Sequence, residues 1–474
     1  MNLRATSIVA ITSLSLIACD SGVPGNSAIS ESALSADLHV LANDSMGGRL
    51  VASSGLDQAS AWIADRFESL GLAPAGDRGG YFQRFGLAWF SLGVGNRLTV
   101  EGAGPGRTPG QGWTPSNAGA SGSASGSVVF AGFGIVEPRL DHDDYQGADV
   151  NGRIVLMLER EPGVADPSSP FDGIVTAEAS RTWRKVLAAQ ERGATAVLFV
   201  RDVHNREDIN DWPAVHTGAW PDEPRRIERF TLEAWAEQIT IPAAQISAEL
   251  AATLVEGSGR TLEELAVEAE NAEGGLGVVD LGSARADLRT EVERHVSPGT
   301  NVLAMIEGSD PDLRDEVVII GAHHDHNGMD GEVVYNGADD DGSGTVGVLA
   351  IAEAYAQAAA SGDLPARSVI FAIWDAEERG LLGAWYYTQR PLFPLQSTVA
   401  NLNMDMIGRH EEVPTDGGGR FRGLDVQSAE SNSNATNILG YSYTPELVQI
   451  VQDANRFDLT LRLRYDNSAA NLLR

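Results

Sequence analysis

The sequence predicts an α/β fold: a three-layer α/β/α domain on a mostly parallel mixed sheet, with a second, β-rich unit inserted into it. Three observations predict this. Residues 317–321, 368–374 and 399–404 are apolar, strand-length and rich in β-branched side chains. Helical patterns over 343–360 and 381–389 alternate with them, the signature of βαβ units and a parallel sheet. Residues 102–126 are crowded with Gly, Pro and Ser, which reads as a loop and marks a boundary before a run of further short strands.

At the N-terminus, Arg4 supplies positive charge, residues 8–18 an apolar core and Leu16-Ile17-Ala18-Cys19 a cleavage site. That run is too short to span a bilayer and reads as a signal peptide over 1–18. Cys19 is the only cysteine of the 474 residues, which excludes internal disulfides. Small polar residues over 19–30 form a tether. The first part of the main domain covers 31–112. It holds a helix capped by Ser30 or Ser32 and running to about Ala42, an amphipathic helix over 54–70 ended by Gly71, and a strand over 80–85. The insert covers 113–270, with strands at 128–133, 154–158, 194–200 and 241–247 and helical patterns at 183–192 and 249–265. His204 and His216 lie there in a polar stretch that reads as a solvated loop. The main domain resumes over 271–474. Residues 300–306 and 317–321 read as a strand pair joined by the turn Ser309-Asp310-Pro311, and a helix over 444–455 and a strand over 459–465 follow. A net charge of −32 argues against nucleic acid as a partner.

Ionisable groups follow each strand of the main sheet. His323 and Asp325 follow the first, Glu377 and Glu378 the second, and Asp405 the third. Right-handed crossovers bring the carboxyl ends of these strands to one edge, where open α/β sheets bind ligands. Asp339, Asp340 and Asp341 enter the same edge from the segment before the long helix. Three carboxylates exceed what the helix macrodipole needs, and their repulsion calls for a cation. Nitrogen and oxygen donors without thiolate suit zinc, with manganese or cobalt as alternatives.

A-H-H-D-H (322–326), N-G-A-D-D-D-G-S-G (336–344), D-A-E-E-R-G-L-L-G-A (375–384) and N-M-D-M-I-G (403–408) resemble the co-catalytic zinc aminopeptidases. That family also includes glutamate carboxypeptidase and the transferrin receptor. Gly132-Phe133-Gly134, Asp143-Asp144-Tyr145 and Gly193-Ala194 resemble the protease-associated domain often inserted in that family, and the small residues before Cys19 resemble a bacterial lipoprotein signal. The resemblance implies a zinc-dependent exopeptidase acting on peptides, an aminopeptidase ahead of a carboxypeptidase, a glutaminyl cyclase or a non-catalytic receptor-like relative. It implies two zinc ions per complete site. Asp339 would bridge them, His323, Glu378 and Asp405 would be the other ligands, Glu377 the general base, and Asp325 the residue that orients His323. His324 would turn away from the site. The family's remaining histidine comes from a loop near the C-terminus, whereas His410, the last histidine here, stands five residues past Asp405. The resemblance therefore implies a second site without its histidine in a C-terminally incomplete chain. It also implies export and anchoring in the bacterial cell envelope through a lipid on Cys19.

Overall fold

Serine caps and apolar periodicity set the first helices. The computed structural model describes residues 29–463, except 165, 167–168, 172–176, 411, 414, 416–425, 439–445 and 456–459. Cys19 and its signal segment lie outside the described residues. Ser30 caps helix Glu31–Leu41, and the Ser53 hydroxyl accepts from Leu56 N to start helix Ser54–Ser69. The second helix buries Ala59, Ile63 and Phe67 against Val302, Ala304 and Phe371 of the main sheet. Each fully buried side chain of this kind contributes about 2 kcal/mol. Helix Gly344–Ala360 joins the same layer through Val346, Leu349 and Ala352. On the opposite face, helix Leu382–Gln389 sets Tyr387 against Trp374. These are the three layers.

The main sheet runs in the order Thr231–Leu232, Phe82–Leu92, Val292–Ile306, Ser368–Trp374, Val317–His323 and Thr398–Asn403, with Ala73–Pro74 pairing beside Val292–Ile306. Val317–His323 is parallel to both of its neighbours. The expected pairing of 300–306 with 317–321 does not form. Ser368–Trp374 lies between them, antiparallel to the first and parallel to the second. The connection after residue 306 crosses the end of that intervening strand: Gly308 N donates to Ser368 Oγ at 3.0 Å and Ser309 N to Pro365 O at 2.8 Å. Sequence adjacency suggested a hairpin, but these bonds make a crossover.

A second sheet runs Arg97–Val100, Val279–Thr290, Gly122–Phe130, Ile154–Leu158, Ala196–Val200, Ala243–Ile246 and Trp113–Pro115. It thus takes strands from both sides of 113–270. Part of the Gly- and Ser-rich stretch, read from composition as loop, is strand here. Gly122–Phe130 pairs with Val279–Thr290 and points Ala124, Val128 and Phe130 into the core of this sheet. Composition hid it because Ser123, Ser125 and Ser127 take its outer face while Gly126 sits between Ala124 and Val128 on the inner one.

Candidate metal centre

The three parallel strands end where the chemistry gathers. Val317–His323 delivers His323, 1% exposed. Its Nδ1 faces Asp325, 3.1 Å from the backbone oxygen and 3.5 Å from Oδ1. Its Nε2 points at three carboxylates: Asp340 Oδ1 at 3.3 Å, Glu377 Oε2 at 3.6 Å and Asp405 Oδ1 at 3.8 Å. No hydrogen-bond partner satisfies that buried Nε2 among the described residues. Burial alone would lower the pKa of this imidazole, but Asp325, Asp340 and Asp405 raise it well above its ordinary value. An orphaned nitrogen surrounded by carboxylates fits a cation, and nitrogen with oxygen donors fits zinc.

Asp325 is fully buried. Its two oxygens accept from Glu377 N at 2.9 Å and Glu378 N at 3.2 Å, so it ties the loop after one strand to the loop after the next. Burial works to raise its pKa, but His323 and the Glu377 N–H bring it below the usual carboxylate range. His324 turns into the core, where Nδ1 meets Trp374 O at 2.8 Å and Nε2 meets Ser60 Oγ at 2.7 Å. Burial pushes it down to about 4, so it is neutral.

Three consecutive aspartates take three different positions. Asp339 turns to the segment after Asp405: its Oδ1 accepts from Gly408 N at 2.9 Å, and its Oδ2 lies 2.7 Å from Arg409 Nε. Asp341 is buried and accepts from His323 N at 3.0 Å and Gly344 N at 2.8 Å, which starts the long helix. Asp340 lies between the two histidines, Oδ1 towards His323 and Oδ2 4.0 Å from His326 Nδ1. The Asp340–Asp341 peptide bond is cis. Asp340, rather than the Asp339 to which the resemblance gave the bridging role, is thus the aspartate that stands between the two histidines. Loop spacing fixed only that some aspartate of the three enters the site.

Among the described residues, two groups of side chains have donor atoms close enough to share an ion: His323 with Asp341 and Asp405, and His326 with Asp340 and Glu378. Asp341 already uses its oxygens on backbone N–H groups, so Asp340 is the better third donor beside His323. In the second group His326 Nδ1 lies 2.7 Å from Glu378 Oε1, which also accepts from Asn327 Nδ2 at 3.1 Å. His326, which closes the 322–326 segment, thus faces a carboxylate directly. His204 and His216 belong to neither group. Glu377 is pushed up to about 7, first by burial and then by Asp325, Asp405 and Glu378, with His323 opposing. A carboxylate poised there can take and return a proton at neutral pH.

These residues form a histidine–carboxylate cluster that could hold a metal, on the carboxyl edge of three parallel strands. Residues 301–449, which contain all of these side chains, match the model of Peptidase family M28. A probable glutamate carboxypeptidase of Arthroderma benhamiae is 29% identical over 325 residues, 60% of this chain and 40% of that protein. A probable leucine aminopeptidase 2 of Aspergillus oryzae is 34% identical over 135 residues, 27% of this chain and 24% of that protein. The chain thus spans less than half the length of either relative. An aminopeptidase structure from Aneurinibacillus sp. strain AM-1 aligns with a TM-score of 0.41 at 18% identity, over 82% of this chain and 73% of that one.

Proposed function

We propose that this chain is a zinc-dependent exopeptidase that removes N-terminal residues from peptides. The observation that carries the reading is the buried His323 Nε2, unpartnered among the described residues and facing Asp340, Glu377 and Asp405. His323, Asp340 and Asp405 would hold one ion. Asp340, Glu378 and His326 would hold a second. Bound zinc would polarise the scissile carbonyl and acidify water. Glu377 takes the proton of the attacking water and returns it to the leaving amine. Asp325 holds Glu377 and Glu378 in place through their N–H groups and keeps His323 oriented. Acidic side chains not used on the metal attract the substrate's free amino group.

Glu377→Gln tests the assignment. Zinc content should stay unchanged while turnover falls at least about a hundredfold; near-normal turnover would remove Glu377 from the role of base. A carboxypeptidase is the second reading, favoured by the longer alignment to the glutamate carboxypeptidase relative. Peptides blocked at either end separate the two: an aminopeptidase cleaves only those with a free N-terminus.

The reading extends to the rest of the chain. The second sheet would be the protease-associated insert, on the strength of the Gly-Phe-Gly and Asp-Asp-Tyr segments at 132–134 and 143–145. The short apolar run before Cys19 supports lipid anchoring in the cell envelope. Cys19→Ser should then move the protein out of the membrane fraction, and unchanged fractionation and processing would end that part of the proposal.

A further inference from the structure

Arg49 belongs to an N-terminal segment in which the sequence shows no chemistry, yet it is fully buried beneath the metal centre. Its guanidinium makes four hydrogen bonds, all to backbone carbonyls. Nε donates to His324 O at 2.7 Å, Nη1 to Leu41 O at 2.8 Å and Asn336 O at 2.6 Å, and Nη2 to Gly337 O at 2.8 Å. One planar cation thus joins the 323–326 turn, which carries both histidines, to the 336–340 loop, which carries Asp340.

The backbone around it is threaded between the same two segments. His326 N donates to Arg49 O at 2.9 Å, and Gly328 N to Gly48 O at 2.9 Å. A Cβ on Gly48 would stand 2.3 Å from Gly328 O and 2.5 Å from Tyr335 O, so only glycine lets these segments pass this closely. Arg49 itself has φ +47, a left-handed conformation that is unfavourable for a non-glycine residue and persists only where the surroundings hold it. Burial lowers the pKa of the guanidinium, opposed by Asp325, Asp341, Asp340 and Glu378, and an arginine stays charged regardless. The site therefore contains a permanent cation bonded to the frame rather than to the ligands.

We propose that Arg49 is the positioning residue of the metal centre: it fixes the spacing between the histidine turn and the Asp340 loop, and its charge offsets the converging carboxylates. This rests on the zinc reading above. Lysine cannot replace it, because three donors on one nitrogen do not reach four carbonyls in the directions of a planar fork.

The test is zinc affinity, measured by competition with a chromogenic chelator on wild type, Arg49→Lys and Arg49→Ala, alongside thermal unfolding of each metal-free protein. The expected result is zinc affinity lowered at least about tenfold in both variants, in a fraction that remains folded by circular dichroism and elutes with wild type. Lysine, which keeps the charge, should recover less than half of the loss on a logarithmic scale. Unchanged zinc affinity in folded variants overturns the inference. So does a failure of both variants to fold, since Arg49 is then a general core residue, and so does full recovery by lysine. If wild type itself binds no zinc, the zinc reading fails with it; if only the variants match wild type, that reading survives and this inference does not.

Discussion

Among the described residues, one buried charged cluster lies at the edge of the main sheet and another beside the second sheet. In the latter, Lys185 of helix Thr182–Glu191 is 1% exposed and its Nζ donates to the carbonyls of Leu158 and Arg160. Asp144, fully buried, accepts from Ile135 N at 2.9 Å and Leu276 N at 3.2 Å, and lies 3.2 Å from His142 Nε2. Lys185 and the Asp144 carboxylate are thus answered by backbone groups, while His142 Nε2, without a hydrogen-bond partner among the described residues, faces the single carboxylate of Asp144. On the main sheet's edge, His323 Nε2 has no hydrogen-bond partner among the described residues, while three carboxylates stand within 3.8 Å of it. Burial alone thus does not mark a site. Nor does one unpartnered nitrogen: His142 Nε2 faces one carboxylate and His323 Nε2 three, and it is the convergence of several buried carboxylates on one nitrogen that calls for a further cation.

The largest effect expected from this contrast separates adjacent aspartates. Asp340→Asn should remove tight zinc and lower turnover by about a thousandfold or more, as both ions would lose a shared oxygen ligand. Asp339→Asn should leave zinc content intact and lower turnover by less than about tenfold, because Asp339 holds only Gly408, Ser343 and Arg409. Elemental analysis after dialysis, with kcat and KM for each variant, decides between them. The reverse ranking would restore Asp339 to the bridging place.

A smaller effect follows from the protons the edge holds when it lacks metal. Glu377 is raised to about 7, and His323 is raised well above its ordinary value. Above pH 6.5 the folded state therefore binds more protons than the unfolded chain. Stability present at lower pH is lost as pH rises through the folded values. Between pH 6.5 and 8 the metal-free protein should lose about 1 kcal/mol from Glu377 alone, seen as a lower melting temperature. His324, pushed down to about 4, acts in the opposite sense only below 6.5, and Lys185, lowered to about 8, offsets part of the loss as pH nears 8. Saturating zinc should reverse the trend, since it binds the deprotonated donors. A metal-free protein that grows more stable over this window would show that the edge is not the acid-loaded cluster described here.

Much of this edge was legible in the sequence. Three apolar runs ending in His323, Glu377 with Glu378, and Asp405 were enough to predict one cleft, because parallel strands share the direction in which they end. The register of Asp339, Asp340 and Asp341 was not legible. A loop has no period, so spacing cannot say which carboxylate turns inward. Arg49 was not legible either. It bonds to backbone carbonyls of segments about 280 residues away, and carbonyls leave no trace in side-chain pattern. The expected pairing of 300–306 with 317–321 failed for a related reason: a ten-residue connection looks the same whether it makes a hairpin or crosses a strand end.

The smallest effect is expected where the second cluster is altered, and two opposing terms explain why. Burial pulls Lys185 from 10.5 down to about 8. At pH 7 that costs the folded state about 3 kcal/mol, relief from which Lys185→Met would supply. The same change leaves the carbonyls of Leu158 and Arg160 without their donor, at about 1–3 kcal/mol each. The near cancellation predicts a stability within about 2 kcal/mol of wild type, with zinc content and turnover unchanged, since neither sheet-edge donor group includes Lys185. Chemical denaturation of the metal-free protein, paired with zinc analysis, measures both. Loss of zinc in Lys185→Met would mean that the two clusters are coupled, and that the second sheet contributes to holding the metal edge in shape.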